Sequence, residues 1–170
     1  MPATDFFIAM YDESSDSISY PYYQSEFGSS SAQQKQLTGF LGPQKPGKGL
    51  TSYVLRTGKP LLCTPEIYEE LERAGAVQGE DVRKTDWLGV PLRKGNQRFG
   101  VMALRTYTSD VRLTTRDRDS LVLLANQVAL AIERIRSQGE LVKFKLGIDQ
   151  TDNAVFITDR QGSIEYVNPK

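Results

Sequence analysis

Residues 86–107 read DWLGVPLRKGNQRFGVMALRTY, and the fold turns on this stretch. Two apolar runs, Trp87–Arg93 and Arg98–Tyr107, flank Lys94-Gly95-Asn96-Gln97. Gly and Asn accept the left-handed backbone of a tight reversal, so the pair reads as an antiparallel hairpin. Both runs are apolar on both faces over part of their length. A strand with one wet face alternates polar and apolar residues, so unbroken apolar character places these two centrally, covered on each side. Arg105 is a charged residue within that apolar run. It reads as an edge residue, with an anion anchor as the other reading.

Upstream lies a second hairpin. Phe6–Tyr11 (FFIAMY) and Ser17–Tyr23 (SISYPYY) flank the polar turn Asp12-Glu13-Ser14-Ser15-Asp16. Side chains alternate along a strand, so Ile18, Tyr20 and Tyr22 share one face and Ser19, Pro21 and Tyr23 the other. Pro21 has no N–H for a ladder, which predicts an edge strand or a bulge there. Ser25–Lys48, rich in Ser, Gln, Gly and Pro, reads as a surface excursion or as a lid over a ligand pocket. Gly49–Gly58 (GLTSYVLRTG) reads as a short helix with Leu50, Tyr53 and Val54 toward a core and Gly58 as its left-handed C-terminal cap. Leu61–Thr64 is a short strand, and Pro65–Ala74 a helix whose Pro65 suits the first turn.

The longest periodic element follows. Thr114-Thr115-Arg116-Asp117 has a hydroxyl at the cap and a carboxylate three residues on, the pattern of a capping box. No proline then occurs before Pro169. Leu121, Val128, Ile135 and Val142 recur at steps of seven, and Leu124, Ala125, Ala131, Ile132 and Leu146 widen the stripe. A helix over residues 115–149 would be about 50 Å long at about 1.5 Å per residue. One domain core covers far less than that. The second half of the stripe must meet something else, most simply the same helix of a second subunit. The competing reading breaks the helix at Ser137-Gln138-Gly139. Ala154–Asp159 and Ser163–Val167, around Arg160-Gln161-Gly162, form a last hairpin. A hairpin alone is marginally stable in water, so the natural chain is expected to continue past Lys170.

Composition narrows the chemistry. The 170 residues leave room for one compact domain and part of another. Lys plus Arg number 21 and Asp plus Glu 21, so net charge gives no reason to expect nucleic acid or an anionic membrane as partner. No apolar run approaches the roughly 20 residues that cross a bilayer. With a single cysteine, Cys63, no internal disulfide can form, and the chain reads as cytoplasmic. There is no histidine, which excludes Ser-His-Asp and Cys-His catalysis, His-ligated zinc or haem, and a phosphoacceptor histidine in this stretch.

SISYPYYQSEFG, GKGLTSYVLRTGKPLL, DWLGVPLRKGNQRFGVMALRTY and LTTRDRDSLVLLANQVALAIERIR resemble bacterial GAF domains in their order and spacing, from about Phe6 to Arg136. The tail NAVFITDRQGSIEYVNP resembles the opening of a PAS domain. The resemblance implies an α+β fold: a GAF/PAS-like central antiparallel sheet with flanking helices, a small-molecule cleft above one face, and a long C-terminal linker helix. It divides the chain into a GAF domain over residues 1–136 lacking the family's first helix, linker helix 137–152, and a truncated PAS start at 153–170. GAF followed by PAS is typical of sensor histidine kinases and of cyclic-di-GMP enzymes. The resemblance therefore implies a sensor that dimerises through the terminal helix and passes its state to an output domain of the same chain.

The family's ligand signatures are largely missing. Cyclic-nucleotide-binding members carry Asn-Lys where this chain has Thr106-Tyr107, then Phe and Asp-Glu where it has Leu113 and Asp117-Arg118. Bilin-binding members use Cys and surrounding His, and Cys63 stands in an expected strand with no His in the chain. Methionine-sulfoxide-reducing members need several cysteines. Haem, bilin and cyclic nucleotide are thus disfavoured, no cofactor is expected, and Cys63 reads as a buried apolar residue. Tyr22, Tyr53, Tyr68 and Trp87 are the candidate walls of a ligand cleft, each with a core role as the other reading. Leu121, Val128, Ile135 and Val142 are the candidate dimer and signalling positions. Three functions remain: a ligand-sensing domain, a constitutive dimerisation or spacer module, and, least favoured, a small enzyme.

Overall fold

The structure, a computed structural model, describes residues 5–25, 42–79, 85–106, 111–151 and 153–169. The lid expected over Ser25–Lys48 falls mostly on residues 26–41, outside the described residues, as do Arg83, Lys84 and Tyr107. The chain forms two compact units, Met1–Ala129 and Leu130–Lys170.

The first unit is built on five antiparallel strands: β1 (Asp5–Asp12), β2 (Ser17–Ser25), β3 (Leu61–Cys63), β4 (Trp87–Lys94) and β5 (Gln97–Arg105), in the order β2-β1-β5-β4-β3. The decisive hairpin is β4–β5, closed by Gly95 and Asn96 with Gly95 at φ 54. Its two strands lie inside the sheet, as their apolar character on both faces requires. Arg105 is therefore not an edge residue. It ends the central strand, in register with Asp5 of β1 on one side and Trp87 of β4 on the other.

Pro21 sits in edge strand β2, as its missing N–H predicts. The ladder also slips beside it: Ile8 pairs with Tyr22 but Met10 with Ser19, so β2 carries one extra residue. That bulge corrects the alternation expected from the sequence. Tyr20 and Tyr23 both reach Phe7, with ring centroids 5.8 and 6.5 Å away, whereas Tyr22 turns to Phe6 on the opposite face. A bulge shifts every later side chain by one place, and strict alternation cannot foresee it.

One face of the sheet carries α1 (Leu50–Thr57), which packs on β4 and β5, and α2 (Pro65–Arg73), which packs on β3. Leu50 and Val54 of α1, Tyr68 of α2 and Ala9, Cys63, Trp87, Val101 and Ala103 of the strands bury together there. Gly58 closes α1 at φ 68 with its N–H on the Val54 carbonyl. Thr64 caps α2 through the Ile67 N–H, with Pro65 in the first turn. On the sheet's other face Leu88, Val90, Leu92, Met102 and Leu104 are buried. The helix α3 (Thr115–Asp149) buries Leu121, Ala125 and Ala129, spaced i, i+4, i+8 along one side.

α3 runs 35 residues without a break at Gly139, and it starts where the capping box puts it. Asp117 accepts from the Thr114 N–H at 2.8 Å and the Thr114 hydroxyl at 2.6 Å, while the Asp117 N–H donates to Thr114 Oγ1 at 3.3 Å. The Thr114 hydroxyl and amide hold the Asp117 carboxyl below its ordinary pKa. A lowered carboxylate stabilises the fold above its unfolded pKa and loses that contribution as pH falls through the folded one.

The second unit contains the end of α3 and the hairpin β6 (Phe156–Thr158) and β7 (Ile164–Val167). Asn168 ties them: its Oδ1 accepts the Val155 N–H at 2.7 Å, and its Nδ2 donates to the Ile148 and Asn153 carbonyls at 3.2 and 3.0 Å. Tyr166 donates its hydroxyl proton to Asp149.

Gly89 lies directly under the Trp87 indole, and a Cβ there would run into the ring. Gly89→Ala is expected to displace the indole and cost about 1–3 kcal/mol. The chain has one tryptophan, so urea unfolding followed by its fluorescence reads both the loss and the altered environment.

Candidate functional site

Three of the four candidate cleft residues lie on the helix-covered face. Trp87 and Tyr68 are each only 2% exposed and belong to the core under α1 and α2. Tyr53 is half-buried against the same core, with the Arg56 guanidinium 5.5 Å from its ring centre. Tyr22 is not with them. It is 45% exposed on the opposite face, its hydroxyl donating to Gln24 at 2.7 Å. Cys63 is fully buried in β3, in register with Trp87.

Around Trp87 the sheet ends in polar groups. Asp5, 2% exposed, accepts the Tyr23 hydroxyl proton at 2.6 Å and stands in register with Arg105. Asp86 is 1% exposed and bonds in three directions. Its N–H donates to Thr106 Oγ1 at 2.8 Å, and its carbonyl accepts the Thr106 N–H at 2.9 Å. Its Oδ2 accepts the Leu113 N–H at 2.8 Å and Arg112 Nε at 2.9 Å. Asp86 Oδ1 and the Thr85 hydroxyl are buried without a hydrogen-bond partner among the described residues. A buried acceptor left open costs free energy unless a donor reaches it. Nearby, the Thr64 hydroxyl and its own amide, with the Arg112 charge beyond them, hold the Glu66 carboxyl below its usual pKa.

Sequence reasoning missed Asp86. An acidic residue just before an apolar strand looks like a loop charge, and only the pairing of residue 86 with residues 106 and 113 shows otherwise. Thr106, which stands where cyclic-nucleotide-binding relatives have Asn, is fully buried and serves this backbone junction. Among the described residues no cluster of three His, Cys, Asp or Glu side chains could hold a metal ion, and no helix is long and apolar enough to cross a membrane.

The helix positions grade along the chain. Leu121 is fully buried, Val128 half-buried, and Ile135 and Val142 are 69% and 58% exposed.

A family model described as GAF domain matches residues 3–133. Solved structures share the fold. The GAF domain of a phosphoenolpyruvate-protein phosphotransferase from Coxiella burnetii aligns with a TM-score of 0.61 and 20% identity, over 82% of this chain and 77% of that one. The second GAF domain of DevS from Mycobacterium smegmatis gives 0.59 and 13%, over 82% and 86%. A GAF domain/HD domain protein from Geobacter sulfurreducens gives 0.58 and 15%, over 80% and 84%. No curated protein matches the sequence.

Asp86→Ala strands the buried Leu113 N–H and is expected to cost about 1–3 kcal/mol. Arg112 is half-exposed, so Arg112→Gln is expected to cost under about 1 kcal/mol. Urea denaturation of the two variants beside the parent protein measures the difference.

Proposed function

The chain belongs to the GAF domain family, whose members are regulatory sensor domains of signalling proteins, and on that premise we propose that it is a dimerising sensor module. It passes its state along α3 to an output domain of the same polypeptide. The observation that carries this reading is the stripe on α3. The residues seven apart that begin inside the core at Leu121 continue as exposed Ile135 and Val142, with exposed Leu146 beside them. Exposed apolar residues repeated at that spacing on an unbroken helix are a seam for a like helix. A second copy of the chain is the simplest occupant, and any change at the sheet reaches the seam through the same rod.

The finer organisation belongs to the same proposal. Residues 1–136 form the sensor, 137–152 the linker, and 153–170 the opening of a PAS domain, with a histidine kinase or cyclic-di-GMP enzyme as output. The module is cytoplasmic and non-catalytic, with no cofactor of its own and no nucleic acid or membrane partner. Its ligand is a small molecule on the face bearing Tyr53, Tyr68 and Trp87, near the open acceptors at Thr85 and Asp86. A small molecule there biases the sheet between two states, and its differential affinity sets how far the output shifts. The second reading is a spacer that dimerises without ligand. The near-complete burial of Trp87 and Tyr68 favours it, because both side chains already fill the space they would share with a ligand.

Ile135→Glu and Val142→Glu are each expected to weaken self-association tenfold or more, since each sets a charge in an apolar seam. Leu141→Glu, on the opposite side of α3, is expected to leave it unchanged. Sedimentation equilibrium distinguishes these outcomes. An oligomer indifferent to both seam substitutions rules out the α3 seam.

A further inference from the structure

At the end of the sheet that carries the β1–β2 and β4–β5 turns, an open cavity of about 440 Å3 lies beside α1. None of Tyr22, Tyr53, Tyr68 and Trp87 lines it. Four charged side chains do: Glu13 and Asp16 from the β1–β2 turn, Arg56 from α1 and Arg98 from the start of β5. No ion pair joins any of them to a described residue.

Neutral groups orient three of the four. Asp12 fixes the turn by accepting the Ser14 N–H at 2.9 Å, the Ser14 hydroxyl at 2.7 Å and the Ser15 hydroxyl at 3.0 Å. Asp16 follows at φ 45, a left-handed conformation uncommon outside glycine and best tolerated by Asp and Asn. The Tyr11 hydroxyl donates to its Oδ1 at 3.0 Å. Opposite, the Arg98 guanidinium donates to the Arg56 carbonyl, and Arg56 Nη2 donates to the Ala76 carbonyl at 3.0 Å while its head lies over the Tyr53 ring. Ser52 also lines the cavity. It is 8% exposed, and its hydroxyl makes no hydrogen bond to a described residue.

Two carboxylates and two guanidiniums thus border one space, with Asp16, Arg56 and Arg98 held by neutral partners and no ion pair joining the two signs. An anion entering it meets Asp16 and Glu13, and a cation meets Arg56 and Arg98. Only a ligand with both signs satisfies both sides. We propose that this cavity is a binding site for a small zwitterion of the free α-amino acid class, its carboxylate toward Arg56, Arg98 and the Ser52 hydroxyl and its ammonium toward Asp16 and Glu13. Charge-assisted hydrogen bonds are the strong ones, and a site that orients them beforehand spends less on ordering its own side chains.

The test is isothermal titration of the full 170-residue chain with the proteinogenic L-amino acids, one at a time, and with propionate and ethylamine as one-charge probes. At least one amino acid is expected to bind saturably where propionate and ethylamine do not. Asp16→Asn and Arg98→Gln are each expected to weaken it about tenfold or more. Both positions are exposed turn or strand-end residues, and far-ultraviolet circular dichroism checks that the variants fold. The proposal is overturned if no amino acid binds, or if propionate binds as well as the amino acid. Binding that survives both substitutions but is lost in Tyr53→Leu belongs to the aromatic face and overturns it equally.

Discussion

The Asp86 carboxylate is the constraint from which the rest of the fold hangs. It sits at the start of β4, its main chain bonds to Thr106 just past β5, and its side chain takes the Leu113 N–H on the approach to α3. Three separate pieces of backbone meet at one buried residue. The buried carboxylate is held there through its Oδ2, which takes the Leu113 N–H and Arg112 Nε, and removing it leaves those donors empty. The entry to α3 is therefore fixed to the central strands and not left to a loose connection. The Thr114–Asp117 box begins the helix one residue after the Leu113 amide is tied down.

That arrangement divides the sheet into two working faces. One is filled by α1, α2 and the aromatic side chains around Trp87, with Gly89 bare so that the indole can lie across it. The other buries the alternate residues of β4 and β5, among them Leu88, Val90, Met102 and Leu104. A change of packing on the first face acts on strands whose opposite side is equally full, and close-packed interiors transmit displacement instead of absorbing it. The same strands line the face that carries Tyr53, Tyr68 and Trp87 and, through Asp86, hold the start of the helix.

Much of this was legible in the residues themselves. The β4–β5 hairpin announced itself through two doubly apolar runs and a Gly-Asn turn, α1 through its Gly58 cap, and α3 through its capping box and seven-residue repeat. What stayed hidden depended on pairing across the chain. The Pro21 bulge moves Tyr22 off the face it would share with Tyr20 under strict alternation, and proline announces irregularity without saying in which direction the register slips. Arg105 looked like an edge residue because a charge in an apolar strand is rarely central; its register partner Asp5, which makes β5 an inner strand, comes from a strand distant in sequence. Asp86 was invisible for the same reason. The charged cavity is assembled from two turns and a helix, and no local pattern links Asp16 to Arg98.

α3 carries the functional claim, and its surface offers two competing sides. Ile135, Val142 and Leu146 fall on one side by helical rotation, whereas Leu130, Leu141 and Phe144, also exposed, fall on the other. Cysteine substitution scanned one position at a time over residues 130–146, with the fully buried Cys63 left in place, separates them by the yield of disulfide-linked dimer under mild oxidation. A seam along Ile135 and Val142 gives yields that peak at 135 and 142 and fall between them. Peaks at 141 and 144, or a flat profile across the scan, would contradict it.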